Sequence, residues 1–311
     1  MTLDVPDEAF EALRPLLFSI AYRMLSSVTA AEDLVQDSYL RYRRALADGA
    51  VVESPKAYLS AVVTRLAIDE LQSARAQRET YVGEWLPEPL LTDEGGLDPQ
   101  EVAERSDSLS MAFLVLLERL NPVERAVFLL HDVFGYDFAE IAAVVGKSET
   151  NCRQIARRAR RAIEKDRPRF VASTAEGDRL ADRFFAAVTD GDVESLLELL
   201  AADAVVYGDG GGKVPQWGVP IVGVQRVARL LAGVGRRMVA LGGRLERRRV
   251  NGQPGALVRD PDGRLVNVFV IDVVDGGVQT VRSVINPEKL GHLGELADVR
   301  ELLRRSSDAD A

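Results

Sequence analysis

Arg153, Gln154, Arg157, Arg158, Arg160 and Arg161 recur along a stretch whose apolar residues Cys152, Ile155, Ala159 and Ile163 are spaced by three, four and four. That spacing places the apolar set on one face of a helix and the basic set on the opposite face. Guanidinium groups fork onto guanine edges and phosphates, and Gln pairs bidentately with adenine, so the basic face suits the reading of duplex DNA. Other candidate chemistry is sparse. Asp203, Tyr207, Asp209 and Asp272 could supply a base and a proton donor. The run Asp209-Gly210-Gly211-Gly212-Lys213 has the glycines of an anion-binding nest. No Gly-Lys-Ser/Thr follows, so a Walker loop is excluded. With one cysteine, Cys152, and two histidines, His131 and His292, a zinc cluster of the usual soft ligands cannot be assembled. No metal, cofactor or catalytic residue is therefore assigned.

The elements around the basic face have their own grammar. Asp137 with Glu140 three residues on is a capping box. Ile141, Val144 and Val145 give that helix an apolar face, and Gly146 can end it in a left-handed turn. Ser148 then caps the second helix, with Asn151 in its first turn. Two short helices joined by a glycine turn, the second basic on one side, make a helix-turn-helix. At 311 residues the chain should hold two or three domains. It has no run of eighteen apolar residues, and Met1-Thr2-Leu3-Asp4 lacks the basic start of a signal peptide, so a cytoplasmic protein without a membrane span is expected. The net charge of −9 repels a polyanion on average. Screening over roughly 8–10 Å leaves the local charge to decide, and 147–169 is strongly basic.

Upstream, Phe10, Leu13, Leu17, Ile20, Ala21 and Met24 follow helical spacing. A second helix is predicted from Thr29 as its cap to about Ala47, and a third from Ser54-Pro55. Asp33, Gln36 and Asp37 share one face of the second helix, at spacings of three and four. Asp33-Leu34-Val35-Gln36-Asp37 resembles region 2.2 of bacterial sigma factors of the extracytoplasmic-function class. The stretch from Ala57-Tyr58-Leu59 through Arg65, Asp69 and Arg75 is similar to their regions 2.3 and 2.4, with Leu66 where relatives often carry Asn. The stretch Leu120-Asn121-Pro122-Val123-Glu124-Arg125 followed by 137–161 is similar to region 4. The resemblance implies that Asp33, Gln36 and Asp37 grip the β′ clamp helices of core RNA polymerase. It implies that Arg65, Asp69, Arg75 and Arg78 melt and read the −10 element of promoter DNA. Region 4 would read the −35 element through Ser148, Asn151, Arg153, Gln154, Arg157, Arg158 and Arg161, and would meet the β flap.

Prolines 87, 89 and 99 and Gly95-Gly96 make 81–105 a linker. Its Trp85-Leu86-Pro87-Glu88-Pro89 resembles a motif of a sigma subgroup with a C-terminal SnoaL-like domain, as do Asp209–Lys213 and Asn286-Pro287-Glu288-Lys289-Leu290 (the subgroup usually has Asp at 288). The expected domains are region 2 over 7–80, the linker over 81–105, region 4 over 106–166, a SnoaL-like regulatory domain over 177–290, and a tail over 291–311. Helical residues at 180–200 and 224–238, then strands near 246–250, 256–259, 266–273 and 279–285, predict an α+β cone behind two all-α domains. Trp85 and Pro87 of the linker are expected to dock on Asp209, Gly210, Gly211, Gly212, Lys213, Asn286, Pro287 and Lys289. The expected function is a sigma factor controlled in cis, with a small-molecule ligand in the third domain as an option. The alternatives are a helix-turn-helix regulator with a ligand-binding domain and an isomerase or hydrolase with a helical appendage.

Overall fold

A computed structural model describes residues 5–78, 81–93, 108–164 and 174–309 of the chain. The chain divides into two compact units. The first contains Met1–Thr80, Gly96–Leu109 and Phe113–Arg167; the second contains Tyr81–Gly95, Ser110–Ala112 and Pro168–Ala311.

The first unit is helical. Helix α1 (Val5–Leu25) ends where Ser26 turns left-handed at φ 57°, and Ser27 then caps α2 (Val28–Ala47) by accepting from the Ala30 N–H at 3.1 Å. Thr29 was the expected cap; the break at Ser26 moves the start back two residues, so Thr29 lies inside the helix. Helix α3 (Pro55–Arg78) opens on its proline, with Ser54 Oγ accepting from the Ala57 N–H at 3.3 Å. Leu17, Ile20, Tyr22, Val35, Leu59 and Val63 are buried among these three helices. Helix α4 (Met111–Leu117), whose first two residues are counted with the second unit, is followed by α5 (Pro122–Phe128), which Asn121 and Glu124 close with a capping box. A π-turn over Leu129–Val133 leads to α6 (Phe138–Val145) and α7 (Glu149–Glu164). Asp137 and Glu140 exchange bonds of 2.8 and 2.9 Å at the start of α6, and Gly146 ends it at φ 64°, ψ 39°. Only a residue without Cβ takes that turn cheaply. Helix α3 packs on α5 and α6, so the amino-terminal helices and the helix-turn-helix form one body.

The second unit is α+β. Helices α8 (Thr174–Asp190) and α9 (Val193–Leu199) precede strand β1 (Leu200–Asp209), the short strand β2 (Ile221–Val222) and α10 (Val224–Ala240). Four strands follow: β3 (Arg244–Val250), β4 (Gln253–Arg259), β5 (Leu265–Val274) and β6 (Gly277–Val284). The sheet order is β2-β1-β6-β5-β4-β3, antiparallel throughout except for the parallel pair β1–β6. Phe184, Leu196, Val206, Leu231, Phe269 and Ile271 are buried where helices meet sheet. Helix α10 crosses α8 at Gly235, where a Cβ would lie 1.6 Å from the Val188 carbonyl oxygen. The residues expected as a tail are structured as far as they are described. Leu265 donates to Glu295 and accepts from Ala297 (2.8 and 2.9 Å), and α11 spans Val299–Ala309. The fold class expected from the sequence, two helical parts followed by an α+β cone, is the one observed.

Candidate functional site

On α2, the acidic and amide residues Asp33, Gln36 and Asp37 are exposed. Leu40, one turn on, is 52% exposed and extends the same face with an apolar group the motif did not flag. An acidic rim beside an exposed leucine is suited to a basic helical partner.

On α7, Cys152, Ile155, Ala159 and Ile163 are buried, and burial pushes the Cys152 thiol upward, as befits a packed rather than reactive sulfur. Ser148, Asn151, Arg153, Gln154, Arg157, Arg158 and Arg161 are all exposed. Ser148 Oγ accepts from the Asn151 N–H at 3.2 Å. Arg153 is paired with Glu149 at 2.9 Å and lies over the Phe138 ring, and Arg158 is 3.9 Å from Glu124. Arg157 and Arg161 have no carboxylate partner among the described residues, so their guanidinium groups stand open to an anion.

The residues expected to face the −10 element lie differently. Asp69 is exposed. Arg75 and Arg78 belong to the last turns of α3, and their side chains lie outside the described residues. Arg65 instead donates to the last carbonyls of α6, from Nε to Val144 at 2.9 Å and from Nη2 to Ala143 at 2.7 Å. Tyr136 donates to Ser60 Oγ at 2.7 Å beside it. Arg125 is fully buried, and its Nε, Nη1 and Nη2 donate to the Arg23 carbonyl, Glu118 and Ser26 at 3.1, 2.5 and 2.7 Å. Burial pulls its pKa down to about 9, which leaves it charged at neutral pH. This residue of the region 4 motif therefore joins α5 to the end of α1.

Residues 81–93 are seated on the second unit through a buried ion pair. Asp209, with no exposed surface, accepts from Lys289 Nζ at 2.6 Å and the Leu86 N–H at 2.8 Å on one oxygen. Its other oxygen accepts from the Tyr81 hydroxyl at 2.5 Å and the Gly211 N–H at 3.1 Å. Lys289 also donates to the Leu86 carbonyl at 2.5 Å and lies 4.4 Å above the Trp85 ring and 4.8 Å from that of Tyr81. Desolvation, then the bond to Asp209, pushes the Tyr81 phenol well above its usual value, so it stays a donor. Asn286 donates to the Tyr81 oxygen at 3.0 Å and accepts from the Glu288 N–H at 3.1 Å. A Cβ on Gly211 would sit 2.2 Å from Asn286 Nδ2, so the loop must be glycine there. Of the glycines read as a nest, Gly211 gives its N–H to the chain's own Asp209. Lys213 meets Glu288 at 2.9 Å, Pro87 is buried, and Pro287 opens the short turn that carries Lys289.

Several partners had no sequence signal. Asn251 Oδ1 accepts from the Leu90 N–H at 3.0 Å, and the Leu90 carbonyl accepts from the Asn251 N–H at 2.7 Å. Thr92 donates to the Arg249 carbonyl at 3.0 Å, and His292 Nε2 is 2.8 Å from the Pro89 carbonyl oxygen. Leu91 thereby extends the sheet beyond β3 as a one-residue bridge to Val250. Met111 N–H donates to Gln253 Oε1 at 2.8 Å within the same unit.

The candidate acids are already engaged. Asp272 is bonded by Arg282 (2.5 Å) and Gln253, Asp209 is surrounded by four donors, and exposed Asp203 accepts from Gln279 at 3.0 Å.

Known proteins match over both helical parts and over most of the chain's length. The family description "Sigma-70 region 2" matches residues 9–77, and "Sigma-70, region 4" matches 110–163. The chain is 37% identical over 289 residues to the ECF RNA polymerase sigma factor SigJ of Mycobacterium tuberculosis, covering 90% of this chain and 91% of the relative. It is 30% identical over 296 residues to the probable ECF RNA polymerase sigma factor SigI of the same species, covering 93% and 96%. The crystal structure of M. tuberculosis SigJ superposes with a TM-score of 0.72 at 35% identity, over 92% of this chain and 98% of that one.

Proposed function

The chain belongs to the extracytoplasmic-function RNA polymerase sigma factors, and we propose that it is one regulated in cis by its second unit through the linker. As a sigma factor it binds core RNA polymerase, directs promoter recognition and starts transcription. In this reading Asp33, Gln36 and Asp37 meet the β′ clamp helices, with Leu40 as an apolar anchor. The α7 face reads the −35 element, and region 4 meets the β flap. Arg65, Asp69, Arg75 and Arg78 serve the −10 element. Arg65 then has two uses, since it must leave the α6 carbonyls before it can reach a phosphate.

The observation that carries the regulatory reading is the buried Asp209–Lys289 pair holding both backbone groups of Leu86. Linker residues held there are withdrawn from the span joining region 2 to region 4. The second unit acts in this reading as a regulatory module without turnover. Among the described residues no helix is long and apolar enough to cross a membrane, and the proposed site of action is the cytoplasm.

Two truncations test it in run-off transcription with purified core polymerase. Ending the chain near Gly177 removes the unit and its hold together. Ending it before Asn286 removes Asn286 and Lys289 but keeps all six strands. The two should differ from full length and from each other. If both transcribe like the full-length protein from one promoter, the second unit is a passenger.

A further inference from the structure

Behind the linker seat lies a cavity of about 440 Å³ that nothing so far has used. Trp217, Val234, Met238, Phe269 and Ile285 are among the residues of its wall, and Val299, Leu302 and Leu303 of α11 line it too. Its polar wall is narrow. Asn267 is buried and donates to Ser283 Oγ at 2.8 Å, and Gln216 donates to the same oxygen at 3.1 Å. Trp217 Nε1 is a buried donor with no acceptor among the described residues. Of the charged lining residues, Arg259 is paired with Glu246 at 2.9 Å and Asp260 with Arg264 at 2.8 Å, while exposed Arg237 has no carboxylate partner among the described residues. A space of this size, apolar with a few directed polar groups, has the character of a small-molecule site.

The cavity and the linker seat share their walls. Ile285 lines the cavity, and the next residue, Asn286, bonds Tyr81 of the linker. The Trp217 indole lies against β1 so closely that a Cβ on Gly208 would be 2.4 Å from Nε1, and the next residue is Asp209. On Gly210, a Cβ would be 3.0 Å from Gln216 Cβ. Packed interiors transmit such displacements rather than absorb them.

We infer that this cavity binds a mostly apolar, ring-bearing small molecule carrying a hydrogen-bond acceptor, and that its occupancy tightens the hold on the linker. The apolar class follows from the wall, and the acceptor from the Gln216 and Asn267 amides, each of which gives one N–H to Ser283 and carries a second, with Arg237 at the rim. Filling the space behind Trp217 and Ile285 fixes the two segments that carry Asp209 and Asn286, and seats α11 as the closing wall. The regulatory meaning rests on the proposed role of the linker, but binding and linker protection are measured without transcription, so either can fail alone.

The test uses the full-length chain and Nile red, a neutral fused-ring dye with a carbonyl acceptor, as probe. One dye per chain is expected, with energy transfer from tryptophan retained in Trp85→Phe, where Trp217 is the remaining donor. Val234→Trp or Leu230→Trp, each filling the cavity from α10, should weaken binding about ten-fold or more while the circular dichroism is unchanged. Dye at saturation should slow amide exchange at Leu86 and Leu90 by about five-fold. Equal binding by folded cavity-filling variants, several dyes per chain, or no binding at all overturns the site. Saturable binding with unchanged exchange at Leu86 and Leu90 overturns the coupling.

Discussion

Arg65 and Val144 are joined by a 2.9 Å hydrogen bond from the guanidinium Nε to the last-turn carbonyl of α6, and Ala143 receives a second at 2.7 Å. Carbonyls at a helix C-terminus lack intrahelical partners and carry the negative end of the helix dipole, so a guanidinium completes them well. The same side chain cannot serve DNA while it does this. Arg65→Ala should loosen the packing of α3 on α6 in the free protein by about 1–2 kcal/mol. Amide exchange in α6 and α7 would report it as faster opening. Unchanged exchange would mean that the contact holds nothing.

The Asp209–Lys289 pair is buried on both sides, at 0% and 9% side-chain exposure. Removing one charge strands the other in a poorly solvated place. Asp209→Asn should destabilise the second unit by about 3–5 kcal/mol, and adding Lys289→Met should recover a good part of the loss. Urea unfolding followed by the emission of Trp85 and Trp217, both in this unit, measures both. A double variant no more stable than Asp209→Asn alone would deny that the two charges are coupled.

Arg157 and Arg158 differ in surroundings, since Arg158 has Glu124 3.9 Å away and Arg157 has no such neighbour among the described residues. Replacing either by Ala should weaken −35 binding by about 1–3 kcal/mol if it reads a base, with relaxed preference at one position. An equal loss on every sequence assigns the residue to phosphate. Full binding by both variants would count against the face.

Asp33 and Asp37 are exposed on α2, so reversing both to Lys should leave the circular dichroism unchanged. Co-purification with core polymerase should be lost. Retained binding by the folded variant removes this face from the polymerase contact.

What the sequence made legible was local chemistry. The Asp137–Glu140 box, the left-handed Gly146 and the buried stripe of α7 depend on neighbours within a turn or two, and each is where its spacing puts it. The start of α2 was misplaced because Ser27 and Thr29 are both good caps, and only the left-handed Ser26 decides between them. Motif resemblance reached the linker seat but missed Tyr81 and Asn251. Their partners lie 128 and 161 residues away, and a tyrosine or asparagine has no periodicity to announce such a contact. Arg65 was legible as a basic residue on an exposed helix face. Its attachment to α6, 79 residues on, depends on how two helical parts pack, which no local pattern encodes.

The most direct test of the account removes the seat while leaving the domains in place. Asp209→Ala with Lys289→Ala deletes both charges together, so neither is left buried alone, and Leu86 loses both of its backbone partners. Run-off transcription with purified core polymerase, on a promoter the wild-type protein uses, should then change by about five-fold or more while affinity for core polymerase stays the same. Transcript yield equal to wild type, from a variant shown by amide exchange to have released Leu86, would contradict control through the linker.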